Sequence, residues 1–70
     1  MSAVLEKAVH ESEAFRSDFI RENCRSGNDA IALAIAMMQQ AEVIFRSLGG
    51  AKMASAQFYA AADRCGGEQP

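Results

Sequence analysis

Nine consecutive residues, Ala30 to Met38 (AIALAIAMM), carry no charge, hydroxyl or amide in a chain of 70 residues. A bilayer crossing needs about 17–25 apolar residues, so this run is too short to span a membrane. It has to be covered by protein, and what covers it is the question on which the architecture turns.

The punctuation around the run points to helices. Pro70 is the single proline, and the glycines fall at Gly27, Gly49, Gly50, Gly66 and Gly67, between glycine-free segments. The segments, about 2–25, 29–48 and 51–65, are rich in Ala, Leu, Met, Glu, Gln, Lys and Arg, which lose least freedom in a helix. None alternates with the period of two that a strand requires. The fold class expected is all-α: an antiparallel helical hairpin or three-helix bundle forming one domain over 1–65, with a flexible tail at 66–70. Between the first two segments stands RSGND, where Gly27 suits the left-handed residue that ends a helix. Ser26 and Asp29 there have capping-box spacing.

At about 100° per residue, Val4, Leu5, Ala8, Val9, Ser12, Phe15, Phe19 and Ile20 share an arc of roughly 160° on the first helix. Phe15 and Phe19 are the expected core anchors of that face, and Arg16 and Glu22 intrude on it. The other side carries Glu6, Lys7, His10, Glu11, Asp18 and Arg21, with Glu13/Arg16, Asp18/Arg21 and Glu22/Arg25 spaced for i,i+3 pairing. On the second helix Leu33, Met37, Ala41, Ala34, Ile44, Leu48, Phe45, Met38, Ile31 and Ile35 spread over roughly 200°. So wide an arc needs more than one neighbour. The third helix offers Ala51, Ala54, Ser55, Phe58, Ala61, Ala62 and Cys65, a face mostly of alanine. Each alanine buries little area, and burial contributes about 25 cal/mol per Å2. The cover is thin, and the simplest remedy is a second copy, so a homo-oligomer, a dimer in the first instance, is expected.

Charge and cysteine usage narrow the partners. The formal net charge is -2 and the isoelectric point about 5.2, so no long-range attraction draws the chain to nucleic acid. Cys24 and Cys65 form no CxxC pair, and the opening MSAVLEKAVHESEAF is broken by Glu6 and Lys7 where a signal peptide would be apolar. A cytoplasmic protein with reduced thiols, away from membranes, is the expectation.

Catalytic signals are absent from the pattern. His10 has Glu6 and Glu13 about a turn away, but no nucleophile or metal ligand at helical spacing. The two cysteines lack the close ligand pairs of a zinc site. Gly49-Gly50 belongs to no phosphate-binding pattern and reads as a helix break. The sequence therefore predicts no catalytic, cofactor or metal site, and not an enzyme.

Gln40 to Tyr59 has the helix-Gly-helix outline of a helix-turn-helix DNA reader. Two details oppose it. Bulky Phe45 stands four residues before Gly49, where such units place a small residue, and the would-be reading helix offers only Lys52, Ser55 and Gln57 among alanines.

The function expected is a small helical protein–protein interaction module, acting as adaptor or inhibitor of a larger protein or nucleoprotein. One version, drawn from size and charge, is an anti-defence inhibitor of the anti-CRISPR kind encoded by a phage or mobile element. The partner-binding residues expected are the apolar edge Met37, Ile44, Met53 and Tyr59, and the acidic residues Glu6, Glu11, Glu13 and Asp18. The alternative is a helix-turn-helix DNA-binding regulator using the second and third helices.

Overall fold

The computed structural model describes residues 2–66. Among them are three helices and no strand: α1 (Ala3–Asn23), α2 (Gly27–Ser47) and α3 (Ala51–Gly66). Of the expected tail at 66–70, Gly66 is instead the last residue of α3, because nothing before it breaks the helix, and 67–70 lie outside the described residues.

Each helix boundary has a local cause. Ser2 caps α1, its hydroxyl oxygen accepting from the Leu5 N–H at 3.0 Å, which satisfies one of the donors a helix start leaves free. At the other end α1 stops at an extended Cys24, whose N–H donates to the Ile20 carbonyl at 3.1 Å. The glycine expected to end this helix does not do so. Gly27 is the first residue of α2, and the one positive φ among the described residues belongs to Gly49.

Helix α2 consequently begins two residues earlier than the spacing suggests, with Ser26 as its cap. The Ser26 hydroxyl accepts from the Asp29 N–H at 3.4 Å, while Asp29 Oδ2 accepts from the Arg25 N–H at 2.8 Å. The reciprocal pair is thus shifted by one: the shorter Asp side chain reaches the amide before Ser26 rather than that of Ser26 itself.

The α2–α3 junction is closed by the glycine pair. Gly49, at φ 68°, takes the left-handed conformation. The Gly50 N–H donates to the Phe45 carbonyl at 2.9 Å and the Gly49 N–H to the Arg46 carbonyl at 3.3 Å, the two-bond closure of a Schellman end. Gly50 then accepts from the Ala54 N–H at 2.8 Å and so opens α3 as well.

The two glycines Gly27 and Gly49 should respond oppositely to alanine. Gly27 is helical, and an added Cβ there meets nothing within 4 Å, so Gly27→Ala should raise stability by about 0.4–1 kcal/mol. Gly49→Ala puts a Cβ on a left-handed residue and should lower it by about 1–2 kcal/mol. Urea unfolding of both variants at one protein concentration checks the sign of each.

Contacts divide the chain into two units, Met1–Ala34 and Ile35–Pro70, with the boundary inside α2. In the first, Leu33 is 7% exposed and is the one buried residue among those described. Phe15 and Phe19 touch along α1 with ring centroids 5.9 Å apart. Phe19 is half-buried, but Phe15 is 54% exposed, so only one of the two expected anchors serves a core. Of the three expected i,i+3 ion pairs, Asp18–Arg21 forms at 2.8 Å, and Glu22 approaches Arg21, at 3.5 Å, instead of Arg25. In the second unit Phe45 meets Phe58 edge-on at 6.0 Å. Ala41, Ala54, Ala60 and Ala61 are half-buried in the same unit.

Candidate functional site

The residues singled out in the sequence lie on two surfaces. In the first unit α1 carries Glu6, Glu11, Glu13 and Asp18, all exposed. A separation of seven residues is close to two helical turns, so Glu6 and Glu13 share one row and Glu11 and Asp18 another. The acidity of the second row is partly neutralised, because Asp18 holds the Arg21 guanidinium at 2.8 Å. His10 is exposed on the same helix.

In the second unit Met37, Ile44, Met53 and Tyr59 are all exposed, Tyr59 by 72%. Met37 and Ile44 stand seven residues apart on one row of α2. Met53 and Tyr59 belong to α3, where the Gln57 side-chain amide donates to the Met53 sulfur at 3.8 Å. Tyr59 lines a wide, shallow depression with Ser55, Phe58 and Ala62.

Sequence reasoning missed a groove of 310 Å³ at the α2–α3 elbow. Phe45, Phe58, Gly49, Gly50, Ala51 and Ala54 line it, together with the charged Glu42 and Arg46. Gly50 favours that shape: a Cβ there would sit 3.3 Å from Phe45 Cδ1, close enough that the ring would have to shift by a few tenths of an ångström, whereas the bare backbone lets it lie against the turn. The signal was present as two phenylalanines bracketing a glycine pair. In the sequence Phe45 stands out only for its misfit in a DNA-binding turn.

The arrangement is suited to apolar contact. Fourteen large apolar side chains are exposed, among them Val4, Ile31, Ile35, Met38 and Leu48, the last by 78%, against a single buried one. Among the described residues no group of three His, Cys, Asp or Glu side chains is placed to hold a metal ion. Cys24 is half-buried, Cys65 is exposed, and both are free thiols. No helix of the described residues is long and apolar enough to cross a membrane.

Compared with known proteins, the chain significantly matches no family, no curated protein and no solved structure.

Proposed function

We propose that this chain is a helical protein–protein interaction module, an adaptor or inhibitor that works by laying its apolar helix faces on a larger protein or nucleoprotein. The observation that carries the reading is the excess of exposed over buried large apolar side chains. A chain of this length with so small a core gains most of its remaining hydrophobic stabilisation only by association. Met37 and Ile44 on α2, and Met53 and Tyr59 on α3, are the proposed contact residues. Methionine adapts its shape to the surface it meets, and tyrosine supplies a large area at low entropic cost.

The acidic α1 rows support the nucleic-acid-mimicking, anti-defence version less well. Glu6, Glu11 and Glu13 are exposed, but Lys7, Arg16 and Arg21 are interspersed with them, and Asp18 is paired. A DNA-reading role draws less support still. The elbow has the helix–turn–helix outline, yet the cations of α3 are Lys52 and Arg64, about 18 Å apart along the helix. That leaves few phosphate contacts to release counterions.

Photo-crosslinking in the cell of origin tests the reading. A photoreactive residue at Ile44 or Tyr59 should give one dominant protein adduct, and the same group at Lys7 on the polar face of α1 should give several-fold less. Adducts confined to DNA would replace the proposal with the regulator, and equal labelling from all three positions would remove the proposed contact face.

A further inference from the structure

We infer that the elbow groove receives Met38 from a second copy of this chain, the two α2 helices packing antiparallel about a two-fold axis. The inference rests on the interaction-module reading and deepens it, and every residue it uses belongs to the second unit. On α2, Ile35, Met38, Glu42 and Phe45 follow one another at intervals of three, four and three residues, and Gly49 comes four further on. That alternation is the seam along which two helices pack. Ile35 and Met38 are each 51% exposed, while Glu42, Phe45 and Gly49, at the other end of the row, line the groove. The seam therefore leads into the groove.

Charge names the occupant and its direction. Glu42 and Arg46 are exposed beside the groove, and among the described residues neither forms an ion pair. A helix laid antiparallel over them needs an acid followed four residues on by a base, so that its base meets Glu42 and its acid meets Arg46. Of the acids in the chain only Glu42 is followed at that spacing by a lysine or arginine, so the segment that fits α2 is α2 itself. With Glu42 of each copy level with Phe45 of the other, Arg46 lies about 1.5 Å along the axis from the opposing Glu42, and the two ion pairs are equivalent by symmetry. Met38, four residues before Glu42, then comes level with the opposing Gly49, four residues after Phe45. Gly49 and Gly50 have no side chain to fill that end of the groove, and unbranched methionine suits an irregular gap. Parallel packing in register would instead oppose Glu42 to Glu42 and Met38 to Met38, with nothing to fill the glycine end.

Light scattering on the full chain tests this register through charge reversal. The wild type should have the mass of two chains. E42R and R46E each place like charges at both contacts, and each should dissociate at about tenfold higher concentration than the wild type. Both sites are exposed, so helicity by circular dichroism should not change. Mixed in equal amounts, the two variants should recover wild-type association, since both contacts of the mixed dimer again join opposite charges. Glu6→Arg on α1 makes the same change in net charge as E42R, and its mixture with R46E should not recover fully, because one contact keeps two acids. Met38→Glu should weaken the dimer as the reversals do. Val43→Glu should not, because Val43 is exposed but stands about 100° round the helix from Glu42. A monomeric wild type would overturn the inference, as would equal recovery with Glu6→Arg. Recovery only when both reversals share one chain would overturn it too, since the pair would then be internal to α2. A dimer indifferent to Met38→Glu would remove this seam and leave the module reading standing with another face in use.

Discussion

Leu33→Ala should leave the chain largely unfolded at room temperature, the strongest single-residue effect expected in this protein. Leu33 is the one described residue that is buried. Removing a buried leucine side chain costs about 2–5 kcal/mol, the lost transfer energy plus the cavity left behind. A core in a chain below about 70–80 residues supplies roughly 3–5 kcal/mol in all, so the substitution consumes most of the available stability. The control is Ile31→Ala, two residues earlier on α2 and exposed, which should shift the unfolding free energy by about 0.5 kcal/mol or less when measured on dissociated chain. Far-ultraviolet circular dichroism and urea titration of both variants decide the matter. If L33A unfolds with the wild-type midpoint, the first unit is not held together by this side chain.

That Leu33, and not another of the ten apolar residues on the wide arc of α2, takes this position was not legible in the sequence. Periodicity assigns residues to an arc, and an arc of about 200° offers no single direction as the inside. The element boundaries were readable, because Gly49 and Gly50 and the Ser26–Asp29 pair act through nearby backbone groups. Even there Gly27 misled: a glycine after a helix suits a left-handed stop, but the extended Cys24 had already ended α1 and satisfied the Ile20 carbonyl.

The same limit applies to the functional surface. Met37, Ile44, Met53 and Tyr59 are exposed, and so are ten other large apolar side chains, so exposure does not single these four out. The elbow groove depends on how two aromatic rings meet across a turn, at 6.0 Å and edge-on, which no count of spacings contains. The exposed apolar rows follow from a physical excess already present in the composition of the faces. Within the second unit α3 presents mostly alanine and has little to lay over α2 beyond Phe58, and Ile35 and Leu48 stay in contact with solvent.

Thermal unfolding should therefore depend on protein concentration, the midpoint rising by about 3–6 °C for each tenfold increase. If a second copy binds the folded chain and not the unfolded one, mass action adds about 1.4 kcal/mol per dimer for each tenfold, or half that per chain. For domains of this size about 1 kcal/mol moves the midpoint by 4–8 °C, which gives the expected slope. A midpoint that stays constant over a hundredfold range of wild-type concentration would mean that no second copy contributes to stability.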